Sequence, residues 1–98
     1  MVIRIHDIVL SADTSEQGSA VFACLQPALL PGDDVTLSFE GVKTVTSSFV
    51  NTAFVQLLET MSLADIKRRL RIVSSTRQIN DMIRRRLRFE NDRSIAAA

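Results

Sequence analysis

Alternating hydrophobic and polar residues predict three short β-strands along the chain. Residues 2–10 have an extended pattern whose phase slips at Asp7, which either a bulge or a short hairpin would explain. The cleanest alternation runs over residues 35–40 and predicts a strand with one face on the core and a more polar opposite face. A third strand is predicted over residues 70–73, where leucine and isoleucine flank an arginine. These segments supply the strands of one small sheet.

The first helix is predicted between the first two strands. Asp13 and Glu16 have the spacing of a capping box, and apolar residues then recur at helical spacing. Pro27 is expected to end the regular helix at Gln26, because proline lacks a backbone N–H and disfavours a helical residue before it. Cys24, the one cysteine of the chain, follows an apolar residue and is expected to be small, buried and free of any internal disulfide.

Two further helices are predicted after the second and third strands. Residues 47–60 carry an apolar stripe wide enough to pack against a sheet. Residues 62–65 are expected to cap one short turn. Ser75 and Gln78 have capping-box spacing before the last helix. The core positions expected on that helix are Ile79, Ile83 and Leu87, with Met82 beside them.

Strands that alternate with helices predict crossover connections and a largely parallel sheet. We therefore expect an α/β sandwich with a small, mostly parallel sheet and helices mainly on one face. The length of 98 residues fits a single domain, placed at residues 1–93, with residues 94–98 as a frayed C-terminal end.

Charge is distributed unevenly along the chain. The net charge of +1 conceals a formal charge of −6 over residues 1–66 and of +7 over residues 67–98. Such a division is typical of a nucleic-acid surface, of a protein that binds an acidic partner, or of a chain that associates head to tail. The charge alone leaves these three alternatives open.

Catalytic and metal sites are not indicated. His6 is the only histidine, and with one cysteine it provides no recognised zinc pattern. The three glycines, at positions 18, 32 and 41, fit no nucleophile elbow, Walker loop or dinucleotide fingerprint. We expect a protein that is not an enzyme, with no cofactor and no metal.

The start of the chain has no long apolar run of a secretory signal and no stretch approaches about 18 apolar residues, so a cytoplasmic location is expected.

The most informative segment runs from the second strand into the helix that follows it. Thr46, Ser47 and Ser48 form a hydroxyl cluster at the start of that helix. A helix start leaves several backbone N–H groups unpaired, and one of these hydroxyls can cap it, which contributes roughly 1 kcal/mol. Capping alone accounts for the cluster.

The same segment resembles the STAS domains of anti-sigma-factor antagonists. Their strand of the form Leu-x-Leu-x-x-Leu, a short gap and an Asp-Ser-Ser/Thr-Gly helix start align without gaps with residues 37–49. The resemblance places Thr46 at the family aspartate and Ser47 at the phosphorylated serine. Ser48 stands at the next hydroxyl, and Phe49 replaces the family glycine. It implies that Ser47 and Ser48 are candidate phosphoacceptors.

A closer resemblance is to the STAS-like family of bacterial domains DUF4325, whose members read DFeGV…iTSSFvne in this region. Residues 38–51 correspond to that motif, and the resemblance extends over residues 17–90. It implies a non-enzymatic regulatory module that binds a protein. Because this family often accompanies histidine-kinase-like ATPase domains, the implied partner or regulator is such an ATPase. The candidate partner-binding residues are Thr46, Phe49, Val50 and Asn51.

The basic last helix offers an alternative function. Arg84, Arg85, Arg86 and Arg88 surround its apolar positions and form a candidate basic patch. A solvated face that pairs with the acidic half of the chain, or an acidic protein partner, explains these charges without nucleic acid. An accessory nucleic-acid-binding surface is the alternative, although only Phe89 is available for stacking and no nucleic-acid motif is present. A charge-driven homo-oligomer is a third hypothesis.

Overall fold

The computed structural model describes the backbone of residues 1–97 and the side chains through residue 93. Its strands form one parallel sheet in the order β1-β2-β3, with β2 at the centre. The predicted α/β class and parallel sheet are confirmed. The expected fraying of residues 94–98 concerns side chains outside the described part and stays a prediction. The strands are β1 (Val2–Arg4), β2 (Val35–Ser38) and β3 (Leu70–Val73).

Helices connect and follow these strands over one face of the sheet. Both crossovers, from β1 to β2 and from β2 to β3, move one position in the same direction across the sheet. Because such crossovers are right-handed, both helical connections lie over the same face. The described α-helices are α1 (Ser15–Leu29), α2 (Ser47–Ala53), α3 (Leu63–Arg69) and α4 (Arg77–Ala97), with 3₁₀ helices at Ile5–Asp7 and Val55–Glu59.

The opposite face of the sheet is largely open to solvent. Leu37 at the centre pairs in register with Ile3 on β1 and with Ile72 on β3, and this row packs into the core beneath the helices. The neighbouring residues on the strands point the other way, where Arg4 and Arg71 are exposed. The prediction that helices lie mainly on one face is therefore confirmed.

Three phenylalanines form the centre of the core. Phe39 follows β2, whereas Phe49 and Phe54 lie on and just after α2, and all three are fully buried. The ring centroid of Phe54 lies 6.3 Å from that of Phe39 and 6.4 Å from that of Phe49, the latter pair edge to face. Burial of one such side chain contributes about 1.5–3 kcal/mol. This cluster therefore fixes α2 to the centre of the sheet.

Helices α1 and α2 approach each other closely at Gly18. A β-carbon at this position would overlap Oγ1 of Thr52 and the backbone oxygen of Phe49. The Thr52 hydroxyl donates a hydrogen bond to the backbone oxygen of Ser15 at 2.8 Å, which joins the two helices directly. Glycine is therefore required at position 18 by the approach of a neighbouring backbone.

The first strand is shorter than the sequence predicts. β1 ends at Arg4, and a 3₁₀ turn follows in which the backbone oxygen of Ile5 accepts hydrogen bonds from the N–H groups of Ile8 and Val9, both at 2.9 Å. The slip in phase at Asp7 therefore comes from this turn, and neither a bulge nor a hairpin is present. The turn places Ile5 in the core, where it is fully buried.

The N-cap of α1 is Thr14, one residue after the predicted Asp13. The Thr14 hydroxyl accepts from the N–H of Gln17 at 3.1 Å, and Oε1 of Gln17 accepts from the N–H of Thr14 at 3.0 Å. The same glutamine oxygen also accepts from the N–H of Asp13 at 2.8 Å. The capping box is therefore formed by Thr14 and Gln17, and not by Asp13 and Glu16. One side chain thus satisfies two backbone donors ahead of the helix.

Two further predictions for α1 are wrong. Pro27 lies inside the helix, because its ring removes only its own N–H and the N–H of Leu30 still donates to the backbone oxygen of Gln26 at 3.0 Å. Cys24 is exposed, because the fully buried positions recur every four residues and the cysteine lies beside that row. The buried row comprises Val21, Leu25 and Leu29.

Residues 47–60 are helical, as predicted, but they do not form one helix. α2 ends at Ala53, Phe54 has non-helical backbone angles of −120° and −43°, and a 3₁₀ helix follows. In a 3₁₀ helix residues three apart lie above one another. The tighter turn therefore brings Leu57 under Phe54, and both are fully buried.

Helix α3 is longer than the single turn predicted from residues 62–65. Ser62 is its N-cap, with its hydroxyl 3.1 Å from the N–H of Asp65. The three cations at residues 67–69 form the last turn of α3, which leads directly into β3. Positive charge at this end of a helix is stabilising.

The N-cap of α4 is Thr76 rather than Ser75. The Thr76 hydroxyl accepts from a first-turn N–H at 3.2 Å and donates to the backbone oxygen of Lys43 at 3.0 Å. Gln78 does not close a capping box; its side-chain amide donates to the oxygen of Val45 and accepts from the N–H of Val45, each at 3.0 Å. The start of α4 therefore holds the segment that precedes α2. The predicted core positions Ile79, Ile83 and Leu87 are buried, and Met82 packs against them.

We predict that Gly18→Ala destabilises the domain by about 1–3 kcal/mol, because the added methyl group overpacks the contact between α1 and α2. This cost exceeds the gain of about 1 kcal/mol in helix propensity. Urea unfolding measures the change. Ser19→Ala, at an exposed position of the same helix, is the control and should lie within about 0.5 kcal/mol of the wild type. A more stable Gly18→Ala variant would contradict the close approach.

Gln78→Ala is expected to lower the free energy of unfolding by about 1–2 kcal/mol, since two hydrogen bonds to Val45 are lost. Arg77→Ala is the matched control, because Arg77 is the exposed neighbour of Gln78 and makes no side-chain hydrogen bond within the described residues. Thermal unfolding followed by circular dichroism compares the two variants. Equal midpoints would show that Gln78 does not hold the segment.

Candidate functional site

The carboxyl edge of the sheet brings together the starts of α1, α2 and α4. The chain leaves β2 through a turn in which the N–H of Val42 donates to the backbone oxygen of Phe39 at 2.8 Å. Gly41 has a φ of +85° in this turn, and a β-carbon there would lie 2.7 Å from Cε1 of His6. An irregular segment, residues 42–46, then runs to the start of α2. We refer to residues 46–51 as the hydroxyl corner.

Thr46 fastens the hydroxyl corner to the rest of the domain. Its hydroxyl accepts from the N–H of Phe49 at 3.2 Å, which caps α2, and donates to the backbone oxygen of Asp13 at 2.7 Å. Its own N–H donates to the backbone oxygen of Ala12 at 3.2 Å. Thr46 therefore has a structural role and joins the starts of α1 and α2.

Ser47 and Ser48 are exposed in the first turn of α2. Thr46 supplies the side-chain cap, and within the described residues neither serine hydroxyl has a hydrogen-bond partner. No acidic residue lies in this turn. Both hydroxyl groups are therefore accessible to another molecule and are not needed to close the helix start.

Phe49 and Val50 cannot contact a partner directly. Both side chains are fully buried, and Phe49 packs edge to face on Phe54. They lie three and four residues after the N-cap, which turns them toward the core. The assignment of these two residues to a contact surface is wrong. The accessible residues of the hydroxyl corner are Thr46, Ser47, Ser48 and the partly exposed Asn51.

Asn51 connects the hydroxyl corner to α4. Its Oδ1 accepts from Nε of Arg86 at 2.9 Å, and a second guanidinium nitrogen of Arg86 lies 3.1 Å from a carboxylate oxygen of Glu90. The Arg86 guanidinium also lies over the ring of Phe89, 5.3 Å from its centroid. Because Arg86 and Glu90 are about three-quarters buried, this pair is better shielded from water than an ordinary surface ion pair. The sequence gives no sign of this contact, which joins residues 35 positions apart.

One of the four arginines of the candidate basic patch is held within the domain. Arg86 is held between Asn51 and Glu90, whereas Arg84 lies 3.6 Å from Asp81 and Arg85 is exposed. Arg88 and Arg84 lie on the flank of α4 that faces α3. Arg86 therefore stands apart from the candidate patch, whereas Arg84, Arg85 and Arg88 are exposed on α4, where residues three and four positions apart are neighbours.

The described residues contain neither a cluster of metal ligands nor a membrane-spanning helix. Among the described side chains, no three histidine, cysteine, aspartate or glutamate residues are grouped so as to hold a metal ion. Within residues 1–97, no helix combines the length and apolar character that are needed to cross a bilayer.

One protein-family model matches most of the chain. The model for the STAS-like domain of unknown function (DUF4325) matches residues 17–80, which include the sheet's central and third strands and the whole hydroxyl corner. Comparison with the curated proteins and with the solved structures found no match. Since the matched residues span more than half of the sequence, the chain belongs to the STAS-like family DUF4325.

Proposed function

We propose that this domain is a non-enzymatic regulatory module that binds a protein partner through the accessible part of the hydroxyl corner. The observation that carries the proposal is the exposure of Ser47 and Ser48 beside a helix cap that Thr46 completes without them. STAS-like domains are generally non-catalytic. The support for partner binding is thus a pair of accessible hydroxyl groups on a rigid helix start.

Serine phosphorylation is the proposed control. A kinase would transfer the γ-phosphoryl group of ATP to the oxygen of Ser47, with release of ADP and of the hydroxyl proton, and Ser48 is the second candidate acceptor. Phosphoserine adds about −1.5 to −2 charges at pH 7. Because the serine hydroxyls take no part in the cap of α2, the added group leaves the hydrogen bonds of Thr46 intact. A partner that presents carboxylate or apolar groups to this surface would then be released while the domain stays folded.

The proposed partner or regulator is a histidine-kinase-like ATPase, as the resemblance to the STAS-like family DUF4325 implies. Such an enzyme requires cytoplasmic ATP, so we place the module in the cytoplasm of a bacterial cell. Binding of nucleic acid through the arginines of α4 is less well supported, because Arg86 is engaged with Asn51 and Glu90 and Arg84 lies beside Asp81.

Incubation with ATP and the histidine-kinase-like ATPase encoded nearest to this domain should add one phosphoryl group to Ser47. Intact-mass spectrometry detects the addition, and fragmentation of the digested protein locates it. Ser47→Ala should abolish the modification, whereas Ser19→Ala, which removes an exposed serine of α1, should not. Modification that persists in a variant lacking both Ser47 and Ser48 would place the acceptor elsewhere.

Ser47→Asp should weaken the complex with that ATPase by at least about tenfold, because it adds charge at the contact surface. The free energy of unfolding should change by less than about 0.5 kcal/mol, since the side chain is exposed and makes no required hydrogen bond. Calorimetric titration measures binding, and Thr44→Asp, exposed on the preceding segment, is the control. If both variants bind like the wild type, the hydroxyl corner is not the contact surface.

A further inference from the structure

A groove of about 330 Å³ lies between α3, β3 and α4, away from the hydroxyl corner. Its volume is near the lower end of the range of roughly 300–1,000 Å³ that ligand clefts occupy. The floor is entirely aliphatic and the rim is polar. The floor consists of Leu63, Ile66, Leu70, Ile72, Ile83 and Leu87. We call this region the cationic groove, because Lys67, Arg84 and Arg88 form its rim together with Asn80.

The rim of the cationic groove is positively charged without a matching set of acids. No acidic side chain lines the groove. Arg84 has one carboxylate neighbour, Asp81, at 3.6 Å, in a pair that is half exposed and therefore weak. Within the described residues, neither Lys67 nor Arg88 has a carboxylate within 4 Å. Three like charges around one apolar floor favour an occupant that brings negative charge.

The floor of the groove is accessible from outside. Leu63 and Ile72 are only partly buried, while the other four floor residues belong to the buried core. A shallow trough of this kind can take a row of apolar side chains while the rest of the occupant remains in water. That geometry suits an amphipathic segment, which has one apolar face and one polar face.

We propose that the cationic groove binds an acidic amphipathic helix of a partner protein. The walls are two helices, and helices commonly dock into grooves of this type through apolar residues spaced three and four apart. Arg84 and Arg88 lie one turn apart along α4, so they match carboxylates one turn apart on the bound helix. Lys67 on α3 faces the opposite side of the occupant and requires an acidic residue on that flank too.

This surface is independent of the hydroxyl corner. The two share no residue, and Arg86, which contacts Asn51, lies on a different flank of α4 from Arg84 and Arg88. Phosphorylation of Ser47 would therefore leave the cationic groove unchanged. The domain would have two contact surfaces, of which only one is controlled by the serine, and failure of either proposal leaves the other standing.

The test uses a fluorescently labelled synthetic peptide and the full domain. The peptide is a helix with leucines on one face and glutamates on both flanks. A control peptide has lysine in place of every glutamate. Fluorescence anisotropy should show binding of the glutamate peptide only. Arg84→Glu combined with Arg88→Glu should weaken that binding at least about tenfold. Arg85→Glu, an equal charge change at an exposed position outside the groove, should change it less than about twofold.

Two controls distinguish specific binding in the cationic groove from non-specific electrostatic attraction and from loss of folding. Binding of the glutamate peptide should weaken between about 0.05 and 0.3 M salt but persist, because the leucines still occupy the apolar floor. Leu63→Gln, at a partly exposed floor position, should reduce the binding that remains at high salt. Circular dichroism and urea unfolding establish that each variant is folded before it is titrated.

Several results would overturn the proposal. Equal binding of the lysine peptide, or equal loss of binding in Arg85→Glu, would show that the groove does not recognise an acidic helix. Tighter binding of a DNA duplex, lost in the same charge-reversal variants, would assign the rim to nucleic acid. Light scattering that shows a dimer, with no displacement by the glutamate peptide, would assign the groove to a second copy of the chain.

Discussion

The Thr46 hydroxyl makes two hydrogen bonds on which the arrangement of the carboxyl edge depends. It accepts from the first turn of α2 and donates to the backbone oxygen of Asp13, just before α1. Gln78 and Thr76, at the start of α4, hold the same irregular segment from the other side. Three helix starts are therefore fixed to one another through short polar side chains. Because this segment pairs with no strand, some of its backbone groups would otherwise lack hydrogen-bond partners.

Much of the fold follows from local patterns. The alternation at residues 35–40 reflects a strand with one face in the core, and the crossover order follows from strands that alternate with helices. The predictions for α1 failed where the outcome depends on the hydrogen bonds that individual residues make or lose. Gln17 satisfies two backbone donors, which moves the cap to Thr14, and Pro27 is tolerated because only one helical hydrogen bond is lost. Neither outcome is determined by residue spacing alone.

The candidate site was predictable only in part. The motif located the exposed serines, but it also included Phe49 and Val50, which are buried in the core. A family motif marks a segment as a whole, whereas the apolar stripe over residues 47–60 indicates which of its side chains face the core. The bond between Asn51 and Arg86 spans 35 positions, and the cationic groove needs α3 beside α4. Such juxtapositions depend on tertiary packing, which no local window contains.

At the start of α2 one residue, Thr46, caps the helix, and two others, Ser47 and Ser48, are exposed without a role in the cap. This difference affects how natural variants of the domain can be interpreted. A threonine that completes the helix start is constrained by folding, whereas the two serines after it carry no such constraint. Many small residues would serve the fold equally well at positions 47 and 48. If relatives nonetheless keep hydroxyl groups there, natural selection will have acted on what those groups do, and a catalogue of variants would report function separately from stability.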